Sequence, residues 1–197
     1  AYAEAAAREP NNPAIPANLG RAHVIYANQL SKETRGPEYE AALMNLEQSL
    51  ALKSDYAPAH FILVQIFDEQ GKNNEAVARA ERLRSLAPND VGILFQLGLL
   101  HYQANRFTKA REMFELAVRQ SPDYANALYF LGLIYDRQGD RALALEQFKR
   151  VQALNADNQD IFAIIANLEN NRPALSAGTQ PSPLEAKEEK GVLEKKR

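Results

Sequence analysis

"FQLGLLHYQANR" (Phe95–Arg106) and "YFLGLIYDRQGD" (Tyr129–Asp140) are two versions of one pattern. In each, an aromatic residue stands two places before a Leu-Gly pair. Leu97-Gly98 and Leu131-Gly132 lie 34 residues apart, and the interval recurs outside the two strings. Ala110 and Ala144, Phe114 and Phe148, and Pro88 and Pro122 are spaced alike. Leu63, Leu97 and Leu131 form one series, with Ile165 as a conservative fourth member. Self-similarity at a fixed period of this size marks a chain built from stacked supersecondary units.

The period and the residues together resemble the tetratricopeptide repeat. "LFQLGLLHYQANRFTKAREMFELAVRQSP" (Leu94–Pro122) supplies the family's Leu94, Leu97, Gly98, Ala110, Phe114, Ala117 and Pro122, with His101 in the Tyr place. "LYFLGLIYDRQGDRALALEQFKRVQAL" (Leu128–Leu154) supplies Leu128, Leu131, Gly132, Tyr135, Ala144, Phe148 and Val151. The resemblance implies an all-α fold, a right-handed α-solenoid superhelix of helix-turn-helix repeats. Elementary packing accounts for the pattern. Where the two helices of a unit, A and B, cross closely, only small residues such as Gly98 with Ala110 fit. Leu94, Leu97, Leu100 and His101 share one face of helix A at helical spacing. "QGK" (Gln70–Lys72) and "QGD" (Gln138–Asp140) read as turns between the paired helices, with Gly free to take positive φ. "APND" (Ala87–Asp90) and "SPDY" (Ser121–Tyr124) end one unit and start the next.

This reading assigns residues 1–172 to the array: a half repeat at 1–12, full repeats at 13–56, 57–90, 91–124 and 125–158, and a half repeat at 159–172. The first full repeat carries about ten extra residues, because Leu19-Gly20 is followed late by Ala42. "NQLSKETRGPE" (Asn28–Glu38) holds the excess, either as a longer helix A or as a loop ending at Gly36-Pro37. In the second repeat Val64 replaces the family's Gly and Ala80 its aromatic, so packing there must differ. Tyr2, Ala5 and Pro10 match a helix B without its helix A. That makes the chain the C-terminal part of a longer array, or makes this half repeat a minimal cap, since a bare solenoid end exposes an apolar face. Residues 173–197 are rich in Pro, Ser, Gly, Glu and Lys and are expected to form a disordered tail. Ser182-Pro183-Leu184-Glu185 is expected to cap no more than a partly formed helix.

Several functions are disfavoured. The 197 residues carry a net charge of -2, which gives no electrostatic footprint for nucleic acid. The absence of cysteine excludes disulfides, thiolate metal sites and cysteine nucleophiles. Apolar runs such as Ile93–Leu100 and Ala127–Tyr135 are too short to cross a bilayer. His23, His60 and His101 lack metal-ligand spacing, and no phosphate-binding glycine loop or nucleophile elbow is present. The chain is therefore expected to be no enzyme and to need no cofactor or metal.

The resemblance implies that partners bind along helix A, at the second, fifth, ninth, twelfth and thirteenth positions of each repeat. Carried onto this sequence, these positions yield a candidate groove of Phe61, Gln65, Phe95, Leu99, Tyr102, Tyr129, Leu133, Asp136 and Arg137. Phe61, Phe95 and Tyr129 form an aromatic series with two readings: packing between helices, or an apolar strip open to a partner. A clamp for an acidic C-terminus, known in the family, is not supported. Its places hold Ala17, Arg21, Ile62, Gly92 and Gln96, of which only Arg21 is basic. The expected function is a protein–protein interaction scaffold that binds a partner segment in the concave groove. The alternatives are a structural assembly module, self-associating through the open N-terminal face, and the soluble C-terminal part of a larger membrane-anchored bacterial protein. Either side of such a membrane remains open as its location.

Overall fold

The computed structural model describes residues 2–175 and Leu184. The described residues form ten helices and no strand. They fall into two compact units, residues 1–120 and 121–197.

The first unit holds α1 (Tyr2–Arg8), α2 (Ala14–Ala27), α3 (Gly36–Leu52), α4 (Ala57–Glu69), α5 (Asn73–Leu86), α6 (Val91–Gln103) and α7 (Phe107–Gln120). α2 packs against α3, α4 against α5 and α6 against α7, and these are the paired helices A and B of three repeats. The extra residues of the first repeat form a loop, 28–35, not a longer helix A. The loop is tied down by the Tyr39 hydroxyl, which donates to Asn28 Oδ1 at 2.9 Å. Arg35 at its end lies over the Tyr39 ring and 3.5 Å from the Glu69 carboxylate on α4. The core of this repeat joins Val24, Tyr39, Leu46, Ile62, Leu63 and Ile66. Between repeats, Asn73 Nδ2 on α5 donates to the Leu100 carbonyl on α6 at 2.8 Å.

The second unit holds α8 (Ala125–Arg137), α9 (Arg141–Leu154) and α10 (Gln159–Glu169), with α9 packed against both α8 and α10. Leu128, Phe130, Ile134, Phe148, Val151 and Ile161 are fully buried. Asp140 and Asn158 cap α9 and α10 by accepting from backbone N–H groups of the first turn, as Asp90 does for α6 in the first unit.

Four A helices end alike. At α4, α6, α8 and α10 the chain turns through a left-handed residue: Gly71, Asn105, Gly139 and Asn171, with φ of 68°, 56°, 84° and 57°. The N–H that follows reaches back to the carbonyl five residues earlier, at Phe67, His101, Tyr135 and Asn167. This satisfies carbonyls that the helix end would leave bare. Asn serves where Gly is absent because its short side chain tolerates that conformation best among the others. After α10 this turn leads into Pro173–Leu175 rather than a helix B. Within the segment expected to be a disordered tail from residue 173, Ala174 is 2% exposed, and Leu175 and Leu184 are half-buried. The rest of the proposed tail lies outside the described residues.

Candidate functional site

The A-helix face of the first unit carries a broad cleft, about 710 Å³, between α2, α4 and α6. Its wall carries Arg21 from α2, Pro58, Phe61, Ile62 and Gln65 from α4, and Gly92, Ile93 and Gln96 from α6. Two of the sequence candidates, Phe61 and Gln65, are there, and both are exposed. Phe61 is 50% exposed. A more polar cleft of about 300 Å³ adjoins it, sharing Gln65 and Gln96 and adding Asn28, Tyr39, Asp68 and Glu69. Burial, and then the neighbouring Glu69 charge, push the Asp68 carboxyl above its ordinary range.

The aromatic series does not have one fate. Phe95 on α6 is 8% exposed and its ring packs on Phe114, centroids 5.6 Å apart. Tyr129 on α8 is 6% exposed and meets Phe148 edge-on at 5.8 Å. For these two the open-strip reading is corrected to packing. The cause lies on helix B. In the third and fourth repeats Phe114 and Phe148 press against Gly98 and Gly132, where an added Cβ would come within 2.4 and 2.7 Å of the rings. Rings held there present a surface on which Phe95 and Tyr129 can pack. In the second repeat the large and small partners are exchanged. Val64 stands in the Gly place and Ala80 in the Phe place, both 1% exposed. Ala80 offers no ring, and Phe61 remains in the cleft.

The other candidates separate too. Leu99 and Tyr102 on α6 are half-buried, and Tyr102 packs edge-on against Phe107. In the second unit Leu133 is 5% exposed, Asp136 is half-buried and Arg137 is exposed. Asp136 already has a partner: its Oδ2 accepts from the Ala174 N–H at 2.8 Å. Three groups were left out of the candidate groove. Ile93 holds none of the implied ligand positions, and Gln96 entered the sequence reading only as a place of the unsupported clamp. Asn126, in the second unit, is the second residue of its repeat, an implied ligand position, but was not carried into the candidate set.

Of the histidines, His23 Nδ1 lies 2.7 Å from the Glu38 carboxylate. His60 Nε2 lies 3.0 Å from the Ser54 carbonyl. His101 is 4% exposed in α6, with Nδ1 unpartnered. Burial above all, with Lys109 and Arg106 nearby, holds its pKa below the ordinary 6.5. Among the described residues no three potential ligands gather into a metal site, and no helix is long and apolar enough to cross a membrane. At the N-terminal end a smaller cleft, about 220 Å³, lies among α1, α2 and α3, with exposed Tyr2 and Leu52 on its wall.

The model of the tetratricopeptide repeat family matches residues 63–125 and, again, 95–159. Superkiller protein 3 of Schizosaccharomyces pombe is 39% identical over 75 residues, which are 38% of this chain and 5% of that protein. Cellulose synthase 2 operon protein C of Komagataeibacter xylinus is 29% identical over 143 residues, 72% of this chain and 10% of that one. The chain thus spans a tenth or less of these curated relatives. Among solved structures, a MamA protein superposes with a TM-score of 0.69 at 18% identity, over 82% of each chain. MamA from Desulfovibrio magneticus RS-1 gives 0.66 at 22% identity, over 80% of this chain and 83% of that one. Pseudomonas aeruginosa pilF gives 0.64 at 19% identity, over 83% and 70%. At such identities the likeness is one of fold.

Proposed function

Because this chain belongs to the tetratricopeptide-repeat family, whose arrays are protein–protein interaction scaffolds, we propose that it takes an extended partner segment on its A-helix face, seated in the cleft at Phe61. The observation that carries this reading is Phe61 itself, half-exposed in a cleft of about 710 Å³. An exposed aromatic in a concave apolar site is the usual mark of a binding anchor. Phe61, Ile62 and Ile93 would take an apolar side chain of the partner, while Arg21, Gln65 and Gln96 satisfy its backbone. Leu99 and Tyr102 extend the same face along α6. In the second unit, taken by itself, Tyr129 and Leu133 are packed, Asp136 accepts from the Ala174 N–H, and Arg137 is the exposed candidate. This role involves positioning and no covalent chemistry.

The test is selection from a random peptide library on the full chain, followed by Phe61→Lys. Loss of the selected peptides with unchanged far-UV helicity and melting supports the reading. Retained binding by Phe61→Lys overturns it. A second reading, self-association through the N-terminal end, is favoured by exposed Tyr2 and Leu52 beside the α1 cleft. Sedimentation that shows concentration-dependent dimers, weakened by Tyr2→Glu, would establish it, and a monomer at all concentrations would remove it.

A further inference from the structure

In the second unit two residues beyond α10, Ala174 and Leu184, meet the A-helix face of α8. Asp136 Oδ2, near the end of α8, accepts from the Ala174 N–H at 2.8 Å. Asn126 Oδ1, in its first turn, accepts from the Leu184 N–H at 2.6 Å. Asn167 Nδ2 of α10 donates to the Ala174 carbonyl at 3.4 Å. Asn126, Tyr129, Leu133 and Asp136 stand at i, i+3, i+7 and i+10, one stripe of the helix. The two acceptors are therefore about 15 Å apart along α8. Ala174 meets the end of α8 and Leu184 meets its start.

These contacts have the character of peptide recognition. All three side chains address backbone groups, those of Ala174 and Leu184, rather than side chains. Ala174 has both its N–H and its carbonyl satisfied by side chains from two different A helices, and it is 2% exposed. Neither α4 nor α6 offers the pair: the place of Asn126 is held there by Pro58 and Gly92. Leu133, between the two acceptors, is 5% exposed, whereas its counterpart Leu99 is half-buried and Gln65 is exposed.

We propose that the chain after α10 is a ligand held in cis on the A-helix face of the last full repeat, anchored through its backbone at Ala174 by Asp136 and Asn167, and at Leu184 by Asn126. The occupant belongs to this chain, so its effective concentration at the face is on the order of millimolar. An external extended segment reaches this part of the face only by displacing it. That last consequence rests on the proposed partner binding. The cis contact itself does not, and it stands or falls by a separate measurement.

The experiment is backbone amide hydrogen exchange on the full chain by NMR. The Ala174 and Leu184 amides are expected to exchange at least roughly tenfold more slowly than in a free peptide of residues 172–186. Asp136→Ala is expected to return both to the free-peptide rate while the amides of α9 stay protected. Leu184→Pro, which leaves the array untouched, removes the second anchor and is expected to speed exchange at Ala174. Should Asp136→Ala perturb α8 itself, Leu184→Pro decides alone. Free-peptide exchange at both amides in the unaltered chain overturns the proposal, as does an Ala174 rate that Leu184→Pro leaves unchanged. Neither readout involves Phe61, so failure here is distinct from failure of the α4 cleft to bind.

Discussion

Phe114 lies so close over Gly98 that a methyl group added to the glycine would sit 2.4 Å from the ring's Cε1. The contact joins α6 to α7, and the same pairing joins α8 to α9 through Gly132 and Phe148. In the first repeat Gly20 faces Leu46 in the same way, with 2.9 Å to Cγ. Each repeat thus fills one site with a large and a small residue, and only the second reverses which helix supplies the large one.

Gly98→Ala is expected to destabilise the protein by about 1–3 kcal/mol, the usual cost of forcing atoms into a filled interior. Ala has the better helix propensity, by about 1 kcal/mol, so a net loss shows that the clash dominates. Urea unfolding checks it. Gly98→Ala combined with Phe114→Leu should recover part of the loss, because the longer ring is removed from the methyl group.

Phe114→Ala empties a fully buried position and is expected to cost about 3–5 kcal/mol. Phe61→Ala, at a ring that is half in water, is expected to fall near 1 kcal/mol or below. The two aromatics differ by 53 in sequence number but sit in opposite environments, and the ratio of their urea midpoint shifts measures that difference.

Transferring the third repeat's arrangement into the second should close the cleft. Val64→Gly with Ala80→Phe places a ring over a glycine below Phe61, where Phe95 and Phe114 already meet. Phe61 is then expected to fold down on the new ring, and library-selected peptides to bind at least roughly tenfold more weakly, the loss of one anchor contact. A crystal structure of the double variant shows whether the ring has moved. An unmoved Phe61 with unchanged binding would contradict the packing explanation.

His101 predicts a pH dependence. Its pKa is below 6.5 in the folded protein, chiefly through burial, and returns to about 6.5 on unfolding. The unfolded chain therefore binds more protons between the two values. Stability is full above about pH 6.5 and declines as pH falls from there toward the folded pKa. Lys109, Arg106, Glu81 and Glu112 are the charges that act on the ring, and the two cations strengthen the effect. His101→Tyr removes the titration, so the difference in melting temperature between variant and parent should widen below pH 6.5. The His23–Glu38 contact is common to both proteins and cancels in that difference.

Asn73→Ala removes the side-chain bond from α5 to the Leu100 carbonyl of α6 and is expected to cost about 1 kcal/mol. Because the bond bridges two repeats, hydrogen exchange should rise in both α5 and α6. A rise confined to α5 would show that the bond carries no coupling between them.

The 34-residue period, the helix pairs and their turns were legible in the sequence because each depends on residues of set type at set spacing. Gly71 and Gly139 announced their turns, and even Val64 and Ala80 stood out as departures. What the departure does was not legible. Whether an aromatic at the fifth position of helix A is packed or open depends on what helix B places beneath it, nineteen residues later, and on which side of the pair is large. Tertiary packing alone decided that Phe95 and Tyr129 are buried and Phe61 is not. The contacts of Ala174 and Leu184 are the stronger case. They lie in a stretch whose composition reads as unable to pack, and they are made by main-chain N–H groups that every residue but proline possesses. A backbone contact between Ala174 and Asp136, or Leu184 and Asn126, leaves no side-chain pattern to read. Only the fold that brings residue 136 to residue 174 reveals it.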